Sequence, residues 1–228
     1  MDERNPMDRP DQPDSAIATP PSVTPDKPDR IVAFSDGVFA IAITLLALDL
    51  IPSQLPKTTN VWQLASGRTD QVICFVISFW VIGLYWMAHV RMFRWIERAD
   101  TKLFMLNLAS LMLVTFMPYP TAVLSEISQQ TSTVVFYALT AAAAGMMQTV
   151  MWIYASSGYR LIRADTPPAF VRLFTLRGVL VAAIFVLSCG IALYSATLAT
   201  LAWIAIPFVL EIARRAAVHS VAQTSSQR

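Results

Sequence analysis

Polar and apolar positions divide the chain into long apolar runs separated by short polar breaks. Six runs reach the length of about 17–25 mainly apolar residues that crosses a bilayer: 31–51, 71–96, 102–124, 132–157, 170–194 and 197–213. Backbone groups in lipid must be paired within the protein, so spanning segments are helices or closed barrels. Runs this long and uniform predict helices. The fold class expected is therefore all-α, a polytopic membrane protein with six transmembrane helices per subunit, occupying residues 30–215. The break at 51–69 carries prolines and polar residues and reads as a surface loop. The SAT at 195–197 reads as a tight turn.

The two ends differ from this core. Residues 1–29 hold half of the 14 prolines and no sustained apolar period, so they are expected to form a disordered tail. That tail lacks the apolar region of a signal peptide, which leaves the first apolar run as an uncleaved targeting signal. Residues 216–228 read as a polar tail.

Composition supports the class. The 228 residues are 55% hydrophobic and 14% charged, with a mean hydropathy of +0.52, whereas soluble domains are about a quarter charged. A net charge of +2 without a basic, aromatic-interleaved stripe argues against nucleic acid as a partner. Cys74 and Cys189 both sit in apolar runs, with no CxxC or Cys/His cluster, so neither a disulfide framework nor a zinc site is expected. All but Lys57 and Arg68 of the 17 basic residues fall in the tails, the second loop or the fourth loop, where Arg172 and Arg177 are counted. Alternate loops are thus basic, and the positive-inside rule places both termini in the cytoplasm.

The first run, RIVAFSDGVFAIAITLLALDL from Arg30 to Leu50, contains a carboxylate that a plain anchor would not need. At about 100° per residue, Leu45 and Leu48 fall within roughly 40° of Ile41, and Thr44 about 60° to the other side. Asp36 points about 140° away from that stripe. A carboxylate in a span should face partners inside the bundle, and the candidates are Ser35, Trp86, His89 and Asn107. Such a group can be a satisfied polar knot that sets helix packing, or it can handle protons. On spacing alone such a stripe reads first as packing surface and only second as the lining of a path. Gly37, Ala40 and Ala47 permit close helix approach, as do Ala141 and Gly145 in the fourth run. His89 with Asp36 is the one acid–base pair available to an enzyme, and no nucleophile or metal spacing accompanies it. A secondary transporter would be expected to show repeats and broken helices; no repeat is visible, and glycines number seven.

Arg30, Phe34, Ser35 and Asp36, followed by GVFAIAITLL, resemble the RxxxFSD first-helix signature of the prokaryotic branch of the transmembrane protein 175 family of potassium channels. WMAHVRMFRWIERAD and LNLASLMLVTFMPYPT are similar to the family's second and third helices, with Trp86, His89, Asp100, Asn107 and Pro118 in matching order. The likeness runs from Arg30 to about Thr121 and beyond that covers only length and hydropathy. It implies six-helix subunits that assemble as homotetramers in the prokaryotic cell membrane, embedded in lipid, with potassium as the permeant ion and no cofactor. It further implies a pore lined by the first helices, without a TVGYG carbonyl filter. The position matching Ile41 would form the narrowest ring, with layers at Leu45 and Leu48, and Thr44 would be tied to potassium preference. Arg30, Phe34, Ser35, Asp36, Trp86, His89 and Asn107 would form a structural network behind the pore helix.

Overall fold

The computed structural model describes residues 28–51, 60, 66–127, 130–204 and 206. The expected disordered tail up to residue 27, most of the 51–69 loop, the end of the sixth run and the 216–228 tail lie outside the described residues. Within them the chain is helical: α1 Asp29–Leu45 with a 3₁₀ extension Leu46–Leu50, α2 Thr69–Phe93, α3 Thr101–Phe116, α4 Pro118–Glu126, α5 Thr131–Ser156, α6 Pro168–Ala192 and α7 Ala196–Ile204. Among the described residues five segments are long and apolar enough to cross a membrane, α3 and α4 together forming one of them, and α7 follows these five as a further helix.

Local chemistry explains the boundaries. The Asp100 carboxylate caps α3 by accepting from the Leu103 amide at 2.8 Å, and Pro168 starts α6, where a missing N–H costs nothing. Pro118 and Pro120 break the third run at Met117 without ending it. The Met117 amide bonds back to Val114, the Thr121 amide returns to Met117, and the helix continues to Glu126. Because α6 begins at Pro168, Arg172 and Arg177 lie inside a spanning helix and not in the loop where the charge pattern counted them. Helical hydrogen bonding carries on past the polar boundary, and long arginine side chains can return their charge towards water.

α5 is the hub. In its apolar window 61% of residues are buried within the subunit, against 17% in α6 and 22% in α1. One core surrounds Phe39, Ile82, Tyr85, Tyr137, Phe185 and Trp203; a second, around Met92, Phe93, Leu103, Trp152 and Ile162, holds the other end. Small residues make the approach possible. A Cβ on Gly178 would lie 2.2 Å from Thr149 Oγ1, so α6 meets α5 there almost backbone to side chain. Ala141 and Gly145 seat an aromatic ring: the Tyr85 hydroxyl donates to the Ala141 carbonyl at 2.7 Å, and the ring edge lies 3.2 Å from where a Gly145 Cβ would be.

The end of the bundle that carries Arg91, Arg94, Arg98 and Lys102 is tied across. Ile96 and Ile162 form an antiparallel bridge, and Glu97 and Arg98 amides donate to the Leu161 carbonyl. Beside it Asp100 accepts from the Tyr154 hydroxyl at 2.6 Å and pairs with Arg160 at 3.1 Å, and Arg160 also bonds Tyr154. Partial burial alone would raise the Asp100 pKa. The Tyr154 and Leu103 hydrogen bonds and the Arg160 charge outweigh it and hold the carboxyl below its ordinary value.

Candidate functional site

The candidate site is built on α1, whose two faces have different surroundings. Ser35, Phe39, Ala42 and Leu46, spaced four, three and four apart, are buried against the subunit's other helices. On the opposite side Ile41 is 59% exposed, Leu48 57% and Leu45 39%, and Thr44 is also exposed. Phe34 belongs to this second face: it lies seven residues before Ile41, about 20° away by helical rotation, and is exposed as well. Gly37, Ala40 and Ala47 are likewise exposed, and a Cβ on Gly37 would meet nothing within 4 Å. The described helices leave this face uncovered.

The Thr44 hydroxyl donates to the Ile41 carbonyl at 2.9 Å. Its proton is therefore committed to the backbone, and the oxygen's lone pairs remain to accept or to coordinate.

Behind α1, a buried chain of side chains joins three helices. Asn107 on α3 donates through Nδ2 to Ser35 Oγ at 3.0 Å, and Ser35 donates to the Ile31 carbonyl at 2.7 Å. His89 on α2 lies with Nε2 2.9 Å from Asn107 Oδ1, and the acceptor character of that oxygen makes His89 the donor. All three side chains are fully buried. The imidazole is held between Phe39 and Phe93, with ring centroids 5.6 and 4.5 Å away.

Asp36 is not part of that chain. Its carboxylate accepts from Trp86 Nε1 at 2.8 Å, at a half-exposed position. The seven network residues thus separate into a buried triad, Ser35, Asn107 and His89, and a peripheral pair, Asp36 and Trp86. Arg30 and Phe34 are exposed and lie outside both groups. The triad ends on the Ile31 carbonyl, and among the described residues no hydrogen bond joins it to Asp36.

Other buried polar contacts were not singled out in the sequence. Ser78, Thr121 and Tyr137 are joined by hydrogen bonds of 2.9 and 3.1 Å, and Gln148 Nε2 donates to the Tyr85 carbonyl at 3.2 Å. The signal available was a polar residue inside an apolar run, which marks a bundle-facing position but names no partner. Among the described residues no group of three or more His, Cys, Asp or Glu side chains could hold a metal ion.

Comparison with known proteins bears on this geometry. The family model described as endosomal/lysosomal potassium channel TMEM175 matches residues 30–118, which contain the α1 stripe, the Ser35–Asn107–His89 triad and the Asp36–Trp86 pair. A potassium channel of Streptomyces collinus is 35% identical over 175 residues, covering 74% of this chain and 84% of its own. A potassium channel of Chamaesiphon minutus is 43% identical over 99 residues, 42% of this chain and 49% of that one. The endosomal/lysosomal proton channel TMEM175 of Danio rerio is 26% identical over 129 residues, a quarter (25%) of its length. The crystal structure of a lysosomal potassium-selective channel TMEM175 homolog from Chamaesiphon minutus superposes with a TM-score of 0.69 at 28% identity, covering 81% of this chain and 96% of that one.

Proposed function

This chain belongs to the TMEM175 channel family, and on that premise we propose that it is a potassium-permeable channel whose pore is lined by the exposed face of α1. One α1 cannot enclose a path, so several copies must come together, and the family resemblance makes the assembly a homotetramer. Rings of Ile41, Leu45 and Leu48 then form a narrow, poorly wetted constriction. Such a constriction gates by dewetting, and ions pass when it widens enough to admit water. Aliphatic side chains cannot replace a hydration shell, so the preference for potassium over sodium is modest. The Thr44 oxygen, its proton already given to the Ile41 carbonyl, is the group suited to discriminate.

The observation that carries this reading is the two-faced burial of α1. A helix packed by Ser35, Phe39, Ala42 and Leu46 presents Ile41, Thr44, Leu45 and Leu48 to whatever lies outside the subunit. Ser35, Asn107 and His89 fix the rotation of α1 from behind, and Asp36 with Trp86 pins its periphery. Relatives named potassium channels support the permeant ion. The basic residues of the α2–α3 and α5–α6 connections, among them Arg94, Arg98, Arg160 and Arg163, support a cell-membrane orientation with both termini cytoplasmic.

The test is potassium efflux from liposomes holding wild type or Ile41→Asn, with sodium in parallel. Wild type should favour potassium by a modest factor, and the variant should conduct several-fold more by wetting the constriction. Unchanged flux in Ile41→Asn would remove Ile41 from the gate. A potassium preference as steep as that of carbonyl-filter channels would sink the mechanism.

A further inference from the structure

A second feature lies away from the α1 stripe: a cavity of about 180 Å³ bordered by α2, α5 and α6. Leu84 on α2 and Val181 and Phe185 on α6 make its apolar wall, and Gln148 on α5 is part of its polar floor. Arg91 and Arg177 line it from α2 and α6. The depths of these two cations matter. Gln148 bonds the Tyr85 carbonyl, and Gly178 abuts Thr149, so Arg177 sits level with Tyr85 and Gln148. That is about 13 Å along α6 from its start, at 1.5 Å per residue. Arg91 lies about 9 Å nearer the basic end than Tyr85. A half-buried arginine this far inside a spanning helix marks a functional position by default.

Size, lining and charge together select the occupant. Pockets that enclose a whole small molecule run from about 300 to 1,000 Å³, so this one suits one segment of a longer molecule that continues outside. Its wall suits hydrocarbon. Guanidinium forks match the oxygens of a phosphodiester, and basic pockets between helices at the positive end of a bundle hold anionic headgroups. The geometry points to a binding site for an anionic phospholipid, its phosphodiester held by Arg91 and Arg177 and part of one acyl chain packed on Leu84, Val181 and Phe185. The site is independent of the pore reading, and its test requires no conduction.

The experiment is thermal unfolding of the full-length protein in detergent, titrated with phosphatidylglycerol, phosphatidylcholine of the same chains, or inorganic phosphate. A ligand that binds only the folded state raises the midpoint with concentration. Phosphatidylglycerol should do so, and the other two should not. The R91Q/R177Q double variant should weaken the apparent phosphatidylglycerol affinity at least tenfold. Ala88→Phe keeps both charges but fills the cavity that Ala88 lines, and should weaken it similarly. Arg98→Gln removes a charge from the same end outside the cavity and should leave it unchanged. Equal stabilisation by phosphatidylcholine, or by phosphate alone, would overturn the lipid assignment. Undiminished affinity in R91Q/R177Q or Ala88→Phe would overturn the site.

Discussion

α1 and α5 are both apolar spanning helices, yet the subunit treats them oppositely. α1 has the higher mean hydropathy, and only 22% of its apolar window is buried within the subunit; α5 is less apolar and 61% buried. In water the order would be reversed. In lipid, apolar surface gains little by leaving hydrocarbon, so close packing and interhelical hydrogen bonds decide which helix becomes the hub. α5 has the means: Ala141, Ala144 and Gly145 let neighbours approach, and Tyr137 and Gln148 find hydrogen-bond partners on α2. α1 is bonded to its neighbours at Ser35 on its buried face and at Asp36 on the edge of that face. Its other face, with Ile41, Leu45 and Leu48, stays exposed.

That contrast can be broken or sharpened by substitution, and the Ile41→Asn flux test is its largest expected effect. Next comes a pair on the two faces of α1. Asn107→Leu strands the buried His89 Nε2–H and should lower unfolding stability by about 1–3 kcal/mol. Thr44→Val on the exposed face should change it by less than about 0.5 kcal/mol. Equal effects in calorimetry would erase the distinction between the faces.

Two glycines should differ in sign. Gly178→Ala drives a methyl against Thr149, whose hydroxyl is held by the Gly145 carbonyl, and should destabilise by about 1–3 kcal/mol. Gly37→Ala meets open space and should be neutral or stabilising by up to about 1 kcal/mol through helix propensity. A stabilising Gly178→Ala would mean that α5 and α6 are less tightly packed than the Thr149 contact requires.

The smallest effect expected is that of pH at the basic end. Asp100 has a folded pKa below its ordinary value of about 3.9. Its contribution is therefore complete above that ordinary value and is lost as pH falls through the folded one. Unfolding midpoints of wild type and Asp100→Asn should differ slightly at pH 6 and converge below about pH 4. The group is partly solvated, and its partner Arg160 is 57% exposed, so solvent screening keeps the difference small. A gap that widened on acidification would contradict the sign.

The helices were legible because the hydrocarbon core imposes one length and one polarity on anything that crosses it. The third run shows the limit of that signal. Prolines 118 and 120 disfavour an unbroken helix by their chemistry, but only the Thr121-to-Met117 bond shows the helix resuming. Arg172 and Arg177 show another limit. A positive-inside count registers a cation's charge and not its depth, so it is indifferent to whether the residue ends a helix or lies two turns within it.

Within the site, helical rotation alone placed Ile41, Thr44, Leu45 and Leu48 on one stripe and Asp36 away from it, since a straight helix fixes angles from spacing. Rotation could not name partners. Ser35 and Asp36 are adjacent in sequence, yet Ser35 is buried on Asn107 and Asp36 is half-exposed on Trp86. The two side chains leave the helix about 100° apart, and which neighbour stands in each direction depends on how α2 and α3 cross α1. The sequence by itself determined that this chain spans a membrane and which residues of α1 share a face. The tertiary structure alone decided that α5 is the hub, that His89 reaches Ser35 through Asn107, and that two arginines from different helices line one cavity. Such contacts join positions far apart in the chain, and no local period records them.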